Sequence, residues 1–140
     1  GINFDLTEPV AAQLPNGEVV CYIRPIYSPF SWETRSTDRG KSWSPTVRGA
    51  FPNYASSLLC TQSGVLVYAG RFPGLGLHVS HDGGMTWRSY RIDQTIWANG
   101  TVFEVEPDVV LYVYMTKGRL RGQFIHITPD GAEPALDMLP

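Results

Sequence analysis

Ser36-Thr37-Asp38-Arg39-Gly40-Lys41-Ser42-Trp43 is matched, 44 residues further on, by Ser80-His81-Asp82-Gly83-Gly84-Met85-Thr86-Trp87. The two stretches share S-x-D-x-G-x-x-W, four fixed residues in register. Self-similarity at a spacing of tens of residues marks a chain built from copies of one supersecondary unit, each burying its apolar face against the next. The question is then what kind of unit surrounds the motif.

Upstream of each copy lies the same β pattern. Leu14-Pro15-Asn16-Gly17 turns into the run Glu18 to Arg24, and Gln62-Ser63-Gly64 turns into Val65 to Arg71. Gly17 and Gly64 are 47 residues apart, as are Arg24 and Arg71. A third unit follows, with runs at 101–105, 109–115 and 123–127, a turn at Glu106-Pro107-Asp108, and a degenerate copy of the motif at Thr128-Pro129-Asp130-Gly131. No stretch has a helical apolar period, and 14 glycines with 11 prolines suit short strands joined by turns. Four strands per unit at a period in the forties describe propeller blades. The expected fold is all-β, a single segment over residues 1–140 forming a partial β-propeller of about three four-stranded blades, with units near 8–48, 52–92 and 97–131. A propeller ring needs four or more blades. About three cannot close alone, so either further sequence or a second chain is expected.

The motif is expected on the hairpin between the third and fourth strands of a blade. Asp38 and Asp82 can accept hydrogen bonds from backbone N–H groups of a tight turn. Gly40 and Gly84 permit positive φ, and Ser36 and Ser80 open the turn. Trp43 and Trp87 are expected to cover the blade edge, each burying on the order of 200 Å². The repetition speaks for a scaffold role: a catalytic carboxylate is needed once per ring, not once per blade.

Composition narrows the function. The chain has 11 basic and 13 acidic residues, scattered rather than gathered into a stripe, so nucleic acid is not an expected partner. No apolar run approaches the roughly 20 residues of a membrane helix, and neither a membrane partner nor a targeting segment is expected. The sequence starts at Gly1, as a piece of a longer chain would. Cys21 and Cys60 lie in apolar runs and are expected to be buried thiols. His78 and His81 beside Asp82 resemble a small metal cluster, but His81 occupies a variable position of the turn; neither metal nor cofactor is expected. Asn99-Gly100-Thr101 fits a glycosylation sequon that matters only in a eukaryotic secretory route.

The two S-x-D-x-G-x-x-W copies, together with Glu8-Pro9-Val10, the Leu14 to Gly17 turn and Arg24, resemble the sialidase (neuraminidase) superfamily of Asp-box, or BNR-repeat, proteins over most of residues 8 to 131. The resemblance implies half of a six-bladed ring, glycoside-hydrolase ancestry, and a carboxylated or anionic glycan as ligand. It also implies a soluble protein, with a secreted or periplasmic setting as its family context. In that family arginines from several blades clamp the sugar carboxylate, a tyrosine is the nucleophile, a glutamate polarises it, and an aspartate is general acid and base. By resemblance Arg24 and Arg71 fall near two arginine positions and Glu8 near the glutamate, with Lys117 as a third cation two positions out of register. Tyr54, in Tyr54-Ala55-Ser56-Ser57-Leu58, has the nucleophile's context but in the second unit, while Trp97-Ala98-Asn99-Gly100 stands where chain order would place it. Asp5 is the nearest candidate for the acid. Each residue also has a plain structural reading, Glu8 as a loop solvator and the arginines as strand-end charges. Three functions stay open: a sialidase-like hydrolase, a glycan-binding module without cleavage, and a structural or interaction propeller with no sugar chemistry. Completion of the ring calls for a homodimer or a missing propeller half.

Overall fold

The computed structural model describes residues 6–54, 57–71, 74–95 and 99–135. They form three four-stranded antiparallel sheets, each a simple meander. The first holds β1 (Leu6–Gln13), β2 (Val19–Pro25), β3 (Phe30–Ser36) and β4 (Val47–Pro52); the second holds β5 (Ser57–Cys60), β6 (Leu66–Gly70), β7 (Leu75–Ser80) and β8 (Arg88–Asp93). The third holds β9 (Gly100–Glu106), β10 (Val109–Thr116), β11 (Arg119–Thr128) and β12 (Gly131–Pro134). There is no helix among the described residues. Because β4 runs to Pro52, the border between first and second sheets falls after that residue rather than before it.

The sheets are stacked by their first strands: β1 lies beside β5 and β5 beside β9. Strand periodicity explains what holds them. Successive side chains of a strand point to opposite faces, and β6, Leu66-Val67-Tyr68-Ala69-Gly70, is buried along its whole length. Leu66 and Tyr68 join Leu14, Val20 and Tyr22 in a core against the first sheet. Val67 and Ala69 join Leu77, Val79, Val110 and Tyr112 in a core against the third. A continuous apolar strand is what a sheet covered on both sides requires. Each such side chain stabilises the stack by roughly 1.5–3 kcal/mol relative to exposure.

The turns entering the second strands repeat as well. Gly17 and Gly64 have φ of 88° and 90°, and their N–H groups donate to the carbonyls of Leu14 and Thr61. A left-handed residue is needed there, and only glycine adopts it without a steric cost.

Two expectations need correction. Trp87 packs between the first and second sheets, but Trp43 is 44% exposed. The indole of Trp87 lands on the preceding sheet, whereas among the described residues no sheet precedes the one that carries Trp43. Likewise Cys21 is a buried free thiol, while Cys60 is only partly buried at the end of β5. Among the described residues the outer face of the third sheet is uncovered, with Phe103, Met115 and Leu120 exposed on it.

Candidate functional site

The two ends of the sheets differ in chemistry. At one end lie the S-x-D-x-G-x-x-W turns, set there by the registers Val19↔Ser36 and Leu66↔Ser80. Ser36 Oγ donates to Asp38 Oδ1 at 2.8 Å and accepts from the Gly40 N–H at 2.8 Å. Asp38 then accepts the Ser42 N–H at 2.9 Å and the Ser42 hydroxyl at 2.6 Å. The second copy repeats each bond: Ser80 to Asp82 at 2.8 Å, Gly84 to Ser80 at 2.8 Å, and the Thr86 N–H and hydroxyl to Asp82 at 2.8 and 2.5 Å. The Ser42 hydroxyl and N–H hold the Asp38 carboxyl down at about 2. For Asp82 partial desolvation pushes upward, but the Thr86 hydroxyl and N–H outweigh it and the result is again about 2. Both carboxylates are ionised and turned inward on their own loops, a poor arrangement for proton transfer.

These turns also fasten one sheet to the next. Arg35 on β3 is held by Glu18 and Glu33, each at 2.6 Å, and donates to the Gly83 carbonyl of the second turn at 2.8 Å. At the third turn, between β11 and β12, Arg88 donates to the Asp130 carbonyl and Tyr90 Oη accepts the Ala132 N–H at 3.1 Å. Trp87 donates its indole N–H to the Gly84 carbonyl at 2.9 Å and meets Tyr22 and Phe51 edge-on, with ring centroids 6.0 and 5.4 Å away. His78, on β7, is buried in the same seam, stacked on Phe51 at 3.8 Å with Nδ1 2.7 Å from Ser89 Oγ. Burial lowers its pKa to about 4. His81 is exposed on the turn.

At the opposite end four sequence-predicted residues come together. Thr7 pairs with Arg24 and Val10 with Tyr22, so the ladder slips between them and Glu8 sits in a bulge with φ of 50°. Such bulges re-aim a side chain. Glu8 is thereby turned onto Arg24, whose terminal nitrogen Nη1 lies 3.1 and 3.0 Å from the two carboxylate oxygens. The Arg24 guanidinium lies over the Tyr54 ring, 4.8 Å from its centroid, a cation–π stack. Tyr54 donates its hydroxyl to the Ser28 carbonyl at 3.1 Å, and its own carbonyl accepts the Arg71 N–H at 3.0 Å. Arg24 and Arg71 therefore stand at the same ends of successive second strands, across one seam, with Tyr54 between them. Arg24 Nε is buried and has no hydrogen-bond partner among the described residues. Lys117 follows the second strand of the third sheet, exposed in the two-residue hairpin between β10 and β11 with φ of 49°. Asp5 and Trp97 lie outside the described residues, as do Ala55 and Ser56 next to Tyr54.

Two residues at this end escape a sequence reading. Asn53 is 0% exposed, and Gly70 lies against its side chain. Neither belongs to a repeated motif, and nothing in an Asn before a Tyr signals that it packs on a glycine 17 positions on.

The BNR repeat-like domain model matches residues 3–95. No curated protein matches significantly. Among solved structures, a protein of unknown function from Dyadobacter fermentans superposes with a TM-score of 0.75 at 18% identity, over 91% of this chain and 40% of that one. The Hadza microbial sialidase Hz136 gives 0.68 at 19% identity, over 91% and 32%. A variant of the NanB sialidase from Streptococcus pneumoniae gives 0.57 at 16% identity, over 87% and 21%. The chain thus spans well under half the length of these structural neighbours, and at such identities the likeness is one of fold.

Proposed function

Because the chain belongs to the BNR repeat-like domain family and has a sialidase-like fold, we propose that it binds the carboxylate of an anionic glycan at the seam between its first and second sheets. The observation that carries this reading is the Arg24 guanidinium stacked on Tyr54, with the backbone of Arg71 bonded to the same tyrosine, at the end of the sheets away from the Asp-box turns. A guanidinium recognises a carboxylate through two parallel N–H bonds. The stack of Arg24 on Tyr54 holds that planar group in place. Glu8 keeps Arg24 oriented and supplies the negative charge that an incoming carboxylate must compete with.

The test is titration of the full chain with N-acetylneuraminic acid, followed by NMR, with a fluorogenic sialoside assayed in parallel. Arg24→Ala is expected to weaken binding at least about tenfold, and Arg24→Lys is expected to recover little of it, since an ammonium lacks the fork. Binding that is indifferent to Arg24 and Arg71 would sink the proposal. Turnover of the sialoside would place the chain with the hydrolases and make Tyr54 and Glu8 the catalytic candidates. Binding without turnover makes it a lectin-like module.

The three sheets are read as part of a larger ring, about half of six blades. What supports this is the pair of open outer faces among the described residues, with Phe103, Met115 and Leu120 exposed at one end and Trp43 at the other. Monomers rarely leave large apolar patches uncovered. Those faces take further sheets of the same kind, either from a longer polypeptide or from a second copy arranged about a two-fold axis. Light scattering over a dilution series decides for the chain by itself: a well-folded monomer at micromolar concentration would defeat the idea.

A further inference from the structure

The carboxylate site proposed above depends on how two sheets meet, and beside it Asn53 lies against Gly70. Asn53 is fully buried at the end of β4, its N–H donating to the Pro29 carbonyl at 2.9 Å. Its side chain lies flat on Gly70, the last residue of β6. A Cβ built on Gly70 would fall 1.5 Å from Asn53 Oδ1, 2.3 Å from Cγ and 2.6 Å from Nδ2. No side chain fits between them. Neither Oδ1 nor Nδ2 has a hydrogen-bond partner, although buried amides are nearly always paired. The amide is therefore held by packing and by its backbone anchor, not by polar satisfaction.

The residues that follow each partner are the site itself. Asn53 leads into Tyr54, and Gly70 leads into Arg71, whose N–H donates to the Tyr54 carbonyl at 3.0 Å. Tyr54 in turn carries Arg24 on its ring. The approach of Asn53 to Gly70 thus sets how near the Arg71 backbone comes to Tyr54, and through Tyr54 how Arg71 stands relative to Arg24.

We propose that Asn53 and Gly70 are a steric interlock across the seam, acting as positioning residues that fix the spacing of the two arginines. This rests on the carboxylate-site reading, but it has a readout of its own. Gly70→Ala forces the two chains apart at this point; Asn53→Gly removes the three atoms it would strike. The variants form a cycle in which the second change cancels the first, an outcome that independent structural damage does not give.

The experiment measures hydrogen exchange of the Arg71 N–H and N-acetylneuraminic acid binding in the wild-type chain, Gly70→Ala, Asn53→Gly and the double variant. Gly70→Ala is expected to speed Arg71 exchange and weaken binding, each by at least about tenfold, while the Trp87 indole N–H resonance at the far end of the seam keeps its wild-type NMR shift. In the Asn53→Gly background the same alanine is expected to change both by less than about threefold. Arg71 exchange unchanged in Gly70→Ala, or a double variant no better than Gly70→Ala, overturns the interlock. If the wild type does not bind the sugar acid but the exchange cycle holds, the interlock stands and the carboxylate reading falls. If it binds and the exchange cycle is flat, the reverse is true.

Discussion

The two complete Asp-box turns share their serine, aspartate and glycine hydrogen bonds and differ in what lies behind them. Ser36 and Ser80, Asp38 and Asp82, Gly40 and Gly84 make the same hydrogen bonds within a few tenths of an ångström. Yet Trp87 is wedged against Tyr22 and Phe51 of the sheet before it, and Trp43 is 44% exposed. The motif therefore specifies a loop and nothing more. What the tryptophan contributes is decided by whether a neighbouring sheet meets it.

That difference can be tested by truncation. Trp87→Ala is expected to cost about 4 kcal/mol in urea denaturation, because it removes a large apolar group from a packed seam and leaves a cavity. The same change at Trp43 is expected to cost less than about 1 kcal/mol. Equal losses would mean that in solution a further sheet covers Trp43 as the first sheet covers Trp87.

The seam can also be probed by acid. His78 fills the seam between the sheets, while the matching position in the first sheet, 44 residues earlier, is Thr34, which donates its hydroxyl to the Ser44 carbonyl at 2.7 Å. Burial depresses the folded-state pKa of His78 to about 4 from an ordinary 6.5. The unfolded chain therefore takes up the proton first, so this contribution leaves stability untouched above pH 6.5 and erodes it as pH falls from 6.5 to 4. At 1.36 kcal/mol per unit the loss reaches roughly 3 kcal/mol. Replacing His78 by Phe is expected to flatten stability over that window; a slope that survives the replacement assigns the effect elsewhere.

The smallest effect belongs to the turn carboxylates. Both folded pKa values lie near 2, below the ordinary 3.8. Their stabilisation is present above the unfolded value and lost as pH falls through the folded one. Carbon-detected NMR titration is expected to show Asp38 and Asp82 protonating together, well below the ordinary 3.8. A split between them would show that the neighbouring sheet reaches the turn as well as the tryptophan.

The fold was largely legible because its determinants are local and repeated. Gly17 and Gly64 announce the same turn, and β6 reads as an apolar run because both of its faces are covered. The site was legible only as far as register reached. Arg24 and Arg71 share an offset and stand at the same strand ends, while Lys117, two positions out of that register, falls in a hairpin turn. The burial of Trp43 was misread because it depends on a neighbour that no local pattern encodes. Asn53 and Gly70 were invisible for the same reason: their relation is a contact between two sheets.

One feature of the middle sheet reaches beyond this chain. Leu66 and Tyr68 of β6 look back to the first sheet, and Val67 and Ala69 look forward to the third. In the first sheet Val20 and Tyr22 look forward, and in the third Val110 and Tyr112 look back. Every seam is thus made of a forward face on a backward one. The open face of the third sheet, where Met115 is exposed, is a forward face, and the open face of the first, on the Cys21 side of β2, is a backward face. The stack has a plus end and a minus end, like a subunit of a polar filament, and like ends do not match. Any assembly through these faces runs head to tail, and the rotation from sheet to sheet alone determines whether it closes into a ring or continues as an open fibre.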